Sequence, residues 1–145
     1  GDGELSMEEA AAVSSIGTIF YNIKTDNLSD LKHFKAIKSL PSVSSAPRSY
    51  FYNTKRIDIP ENVTSLGRYV LGFNLATVVV FHGKTPPSHD WTFSNTTGTY
   101  DTCTPNGCKF YVPDESLEVY KKAFTSKLSP LSGTSIIHPM SELHE

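Results

Sequence analysis

The sequence predicts an α+β fold: a short solenoid with a parallel β ladder, an N-terminal helix and a C-terminal capping helix. Three near-copies of one phrase carry most of that expectation: Val13-Ser14-Ser15-Ile16-Gly17, Ile37-Lys38-Ser39-Leu40-Pro41 and Val63-Thr64-Ser65-Leu66-Gly67. Each runs β-branched, two polar residues, aliphatic, then a chain-turning Gly or Pro, and the starts lie 24 and 26 residues apart. Self-similarity at a period in the twenties marks one supersecondary unit stacked on the next. A second set of copies reads as strands: Arg56-Ile57-Asp58-Ile59-Pro60, Thr77-Val78-Val79-Val80 and Lys109-Phe110-Tyr111-Val112-Pro113. Alternation, β-branching and a terminal Pro define them.

The chain divides into a helical N-terminal cap over residues 1–17, irregular repeats over 18–100, and a C-terminal strand and capping element over 101–145, all within one domain. At the front, Ser6 and Glu9 form a capping box ahead of good helix formers over residues 7–13, and Glu4, Glu8 and Glu9 complement the helix dipole. Leu28, Leu31 and Phe34 then fall on one face of a short helical turn. In the ladder, Ile57 and Ile59 map onto Val78 and Val80, and these onto Phe110 and Val112, with all six side chains turned inward. Parallel pairing requires each strand to meet its neighbour one turn away, and several rungs must fold together because no single repeat can bury its apolar face. Last, Asp114 or Glu115 can cap a helix over residues 116–124 that carries Leu117, Tyr120 and Phe124 on one face. The residues beyond it supply a polar element that closes the stack.

Composition narrows the function. The 145 residues suit one domain able to bury roughly two thirds of its unfolded surface. A net charge of −2 with no Lys/Arg run lacks the footprint of a nucleic-acid binder. Even the longest apolar runs, Val78-Val79-Val80-Phe81 among them, are far too short to span a membrane. The abrupt start Gly1-Asp2-Gly3 is expected of a fragment of a longer polypeptide, with a removed leader as the alternative. Cys103 and Cys108 bracket Thr104-Pro105-Asn106-Gly107, whose turn chemistry brings the thiols together across a tight loop. A disulfide there suits an exported protein and would add about 2 kcal/mol. Two free thiols on a surface loop are the alternative.

No catalytic, metal or cofactor constellation stands out. His33, His82, His89, His138 and His144 show no metal spacing and no neighbouring nucleophile motif. His89-Asp90-Trp91 follows Pro86-Pro87 and reads as a loop with a packed Trp, so the chain is not expected to be an enzyme. Asp2-Gly3-Glu4-Leu5-Ser6-Met7-Glu8-Glu9 matches the second half of an EF-hand loop, but half the ligands make no useful calcium site. The aromatics Tyr50, Phe51, Tyr52, Tyr69 and Trp91 are expected to fill the wide end of the stack, with a binding patch as the alternative.

The phrase Ile57-Asp58-Ile59-Pro60-Glu61-Asn62-Val63-Thr64-Ser65-Leu66-Gly67 resembles the strand-Pro-turn consensus of BspA-like leucine-rich repeat proteins of gut Bacteroidetes. Tyr111-Val112-Pro113-Asp114-Glu115-Ser116-Leu117-Glu118-Val119-Tyr120-Lys121 and Ile137-His138-Pro139-Met140-Ser141-Glu142-Leu143 resemble the closing element of such proteins. The second repeat carries an insertion, and the Cys loop is not a standard feature. What the resemblance implies is an extracellular or cell-surface module for binding or adhesion, with an unidentified protein or glycan as partner. Similar modules occur in phages infecting those bacteria, which implies a virion structural or receptor-binding component as the alternative.

Overall fold

A computed structural model describes residues 7–14, 27–40, 55–67, 78–88, 93–94, 102–103, 109–124 and 137–144. These form a mixed α/β arrangement built on a parallel β-sheet with few helices. Helix α1 (Met7–Ala12) buries Ala10 and leans Val13 on the core. Strand β1 (Asn27–Leu28) runs into a 3₁₀ turn, Ser29–His33, where the Asn27 side-chain oxygen accepts the Ser29 N–H at 2.7 Å. Leu31 and Phe34 are buried and Leu28 packs beside them, as their spacing predicts.

The main sheet has five strands, all parallel, in the order β1–β3–β5–β8–β9. Its further members are β3 (Arg56–Ile59), β5 (Val78–Phe81), β8 (Lys109–Val112) and β9 (Ile137–Pro139). A second ladder pairs β2 (Ser39–Leu40) with β4 (Ser65–Leu66), Ser39 opposite Ser65 and Leu40 opposite Leu66. Those are equivalent positions of the second and third copies of the phrase, so their 26-residue spacing is a true register, while Ser15, Ile16 and Gly17 of the first copy lie outside the described residues. Ser88 extends this ladder by bridging to Ser65. From β1 to Ser88 the chain visits the two ladders alternately.

The β3–β5–β8 ladder forms as expected, but its register differs by one residue. Ile57 pairs with Val79 rather than Val78, Ile59 with Phe81 rather than Val80, and Phe110 with Val79. Side chains alternate faces along a strand, so the shift puts Val79 and Phe81 in the aromatic core and turns Val78 and Val80 to the opposite face, where Val80 is still fully buried. A continuous row, Leu28–Ile57–Val79–Phe110–Ile137, therefore crosses all five strands into the core. The reason for the change lies in Phe81, whose large ring meets Phe110, Tyr120 and Phe124 at centroid distances of 5.5, 5.5 and 5.8 Å. Four buried rings gain contact energy beyond their area when tilted or edge-on.

Helix α2 (Leu117–Phe124) follows a 3₁₀ turn, Asp114–Ser116, and buries Tyr120 and Phe124 as its pattern predicts. The expected cap is not made: Pro113 occupies the position before the turn, and no side chain caps it. The Asp114 carboxylate accepts the Ser141 N–H at 2.9 Å instead, which holds its pKa below the ordinary range and fastens the C-terminal 3₁₀ turn, Met140–Glu142. The closing segment is more than a polar plug, since β9 adds a fifth strand and buries Ile137. Pro139 cannot donate to a further neighbour, which suits its place on the sheet edge.

Two-residue strands β6 (Phe93–Ser94) and β7 (Thr102–Cys103) pair in parallel, with Cys103 opposite Ser94. Cys108 lies outside the described residues, as do Asp2, Ser6, His89, Tyr50, Phe51, Tyr52, Tyr69 and Trp91.

Candidate functional site

The alternation that sends Ile57 and Ile59 to the core sends Asp58 to the other face, in a row with Val80, Tyr111 and His138. Asp58 is fully buried. Its Oδ1 accepts from Arg56 Nε at 2.9 Å and its Oδ2 contacts His82 Nε2 at 2.7 Å, with Arg56 Nη2 at 3.4 Å. An ionised carboxylate only accepts, so His82 Nε2 carries the hydrogen in this contact, which leaves Nδ1 for other partners. Arg56 and His82 are each partly exposed, so the buried charge is joined to solvent through two side chains. Removal of an isolated carboxylate from water is very unfavourable, and the guanidinium and imidazole offset that only together.

His82 also opens the turn that follows β5. That turn, with the turns following β1 and β3, lies at the carboxyl ends of the sheet strands, where open parallel sheets offer crevices. Two adjoining cavities of about 390 and 230 Å³ are found there, and Glu61 and His82 line both. Asn62, Thr64, Lys84 and Thr85 complete the larger one with Val63, while Lys32, His33 and Lys35 flank the smaller. Lys35 Nζ stands 3.6 Å from the Glu61 carboxylate, a half-exposed pair of small energetic weight.

The walls are fixed in place. Asn62 Nδ2 donates to Lys35 O at 2.7 Å, and the Thr64 hydroxyl and amide both donate to Lys38 O, tying adjacent turns. Ser88 in turn donates its amide and hydroxyl to Thr64 O. On the far side, the Tyr120 hydroxyl donates to Gly83 O at 2.7 Å, and burial pushes its pKa up, so it remains a donor at neutral pH. Gly83 is required for the fit, because a Cβ there would lie 2.9 Å from Glu61 O. A groove with walls held by backbone and buried side chains loses little conformational freedom on binding.

Chemically, the described residues of the lining supply ammonium groups, imidazoles and amide or hydroxyl groups to a ligand, with the one carboxylate of Glu61 among them. Among the described residues no cluster of three His, Cys, Asp or Glu could hold a metal ion. His82, one of the scattered histidines in sequence, is brought to Asp58, whereas His33 comes only to the groove rim and His138 stacks on Tyr111 at 5.7 Å with Glu142 at 3.3 Å. The groove was not legible beforehand, though a charged residue amid Ile57 and Ile59 was a signal for a buried partner. No helix among the described residues is long and apolar enough to cross a membrane. Searches of protein-family models, curated proteins and solved structures return no match to this chain.

Proposed function

We propose that this chain is a non-catalytic binding or adhesion module of the cell surface or extracellular space, which presents a leucine-rich-repeat-like stack to a protein or glycan ligand. The observation that carries this reading is the groove at the carboxyl ends of β1, β3 and β5, formed by three successive turns and lined mainly by polar side chains. Its support comes also from the phrase that recurs in sequence and pairs in register as β2–β4. Successive turns stacked side by side give an extended recognition surface rather than one deep pocket. The Nε2 of His82 is engaged by the buried Asp58 carboxylate, which suits recognition better than nucleophilic catalysis.

The test is a screen of the purified chain against immobilised glycans and extracellular host proteins, with Asn62→Asp and Lys84→Glu as groove variants. The reading expects saturable binding that either variant weakens at least about tenfold, equivalent to about 1.4 kcal/mol. Binding untouched by both variants, or turnover of any bound compound, would contradict it.

A further inference from the structure

We propose that the groove takes an acidic saccharide, one bearing uronic-acid carboxylates or sulfates; this rests on the binding-module reading and names its ligand class. Charge comes first. The chain as a whole carries −2 with its histidines neutral, yet among the described residues the two adjoining cavities gather Lys32, Lys35 and Lys84 against the Glu61 carboxylate. Local sign thus opposes overall sign, which a merely solvated surface has no reason to do, and a cleft walled by protein focuses such a field.

The carboxylates near these cations do not cancel them. Lys84 meets Glu115 at 3.6 Å with the two side chains 81% and 61% exposed, and Lys35 meets Glu61 at 3.6 Å with 58% and 47% exposed. Exposed pairs of this kind are worth little, so a ligand anion can displace them. Asp30 stands 4.0 Å from His33 and is 95% exposed, so its pairing there is weak as well. Asp58 is already committed to Arg56 and His82 and adds no net negative charge to the lining.

The lining then separates the possible anions. A peptide needs apolar recesses for its side chains. Among the described residues lining the larger cavity, Val63 is the one apolar side chain, and it is only 2% exposed. A nucleic acid needs a basic stripe, which a chain of pI near 6.2 without Lys/Arg runs does not offer. A hydroxyl-rich chain with periodic negative charge fits a floor of amide, hydroxyl and imidazole groups flanked by ammonium groups. Lys32 and Lys35 line the smaller cavity and Lys84 the larger, and Glu61 and His82 line both.

The experiment is calorimetric titration of the chain with a galacturonic-acid tetrasaccharide, with maltotetraose as neutral sugar and a tetraglutamate peptide as acidic non-sugar. The proposal expects binding of the acidic sugar only, falling at least about tenfold as salt rises from about 50 to about 300 mM, as screening requires. Lys35→Gln with Lys84→Gln should weaken it at least about tenfold more with an unchanged melting temperature, since both ammonium groups are exposed. Equal binding of maltotetraose would overturn the charge argument while leaving a binding module standing. Equal binding of tetraglutamate, or no binding of the acidic sugar, would overturn the saccharide class. Release of new reducing ends would overturn the non-catalytic reading itself.

Discussion

Two rows of side chains cross the same sheet one residue apart, and they do opposite work. Leu28, Ile57, Val79, Phe110 and Ile137 make a dry row that joins five strands to the aromatic cluster. Asp58, Val80, Tyr111 and His138 make the other row, which holds a buried carboxylate at one end and a His–Glu contact at the other. Non-directional burial holds the first row, and it tolerates apolar exchange of similar volume. The second depends at Asp58 on two directed contacts that together offset the burial of its charge. The same strands thus secure the fold on one face and aim His82 toward the groove from the other.

Charge placed in the dry row should separate the two faces most sharply. Val79→Asp is expected to unfold the chain, because an unpaired buried charge costs several kcal/mol against a total of about 5–15. Val78→Asp, at a half-buried position on the other face, should leave a cooperative thermal transition. A folded Val79→Asp variant beside an unfolded Val78→Asp variant would reverse the faces.

The polar row should break next. Asp58→Ala removes the buried carboxylate that Arg56 and His82 share and is expected to cost about 3–5 kcal/mol in denaturant titration. Arg56→Met alone should be nearly as damaging, and the double variant should cost much less than the sum of the two. Additive losses would show that the Arg56–Asp58 contact carries no coupling.

Smaller effects probe how the groove is joined to the core. Gly83→Ala should cost about 1–3 kcal/mol, because its methyl meets a backbone oxygen that has little room to yield. Tyr120→Phe should cost about 1–2 kcal/mol by leaving Gly83 O without that donor. Both are measured by the same denaturant titration, and both should weaken ligand binding through the 82–85 turn.

The mildest test is pH. Asp114 has a folded pKa held below its ordinary 3.8, first by the Ser141 N–H, so the protonated form is disfavoured in the folded chain. Its contribution is therefore present above pH 3.8 and is lost as pH falls through the lower folded value. Amide exchange at Ser141 should accelerate only in that acid window, and Asp114→Asn should remove the pH dependence.

Much of this comparison was legible in the chain, and the exceptions have physical causes. The phrase starting at Ile37 and Val63 sets β2 against β4 without ambiguity, because each copy ends in a turn residue that fixes its frame. Val78-Val79-Val80-Phe81 has no such frame: it is apolar throughout, as a strand buried on both faces must be, and a period of two cannot choose its inward residues. The frame there is decided by Phe81 against rings that arrive from β8 and α2. The Asp58–His82 contact depends on that same register and could not be read before it. Ser6 and Glu9 show the reverse limit: helix α1 was legible from composition, while the Ser6 cap falls outside the described residues. β9 escaped notice because three residues ending in Pro carry little strand signal.

The measurement closest to the central claim is a methyl–aromatic and methyl–methyl NOE map of the isotopically labelled chain. Contacts from Ile57 to Val79 and from Val79 to the Phe110 ring, with Val78 absent from that network, are the expected result. Contacts from Ile57 to Val78 and from Val78 to Phe110 would put the ladder one residue out of place, move Val80 to the core side, and separate His82 from the carboxylate that orients it.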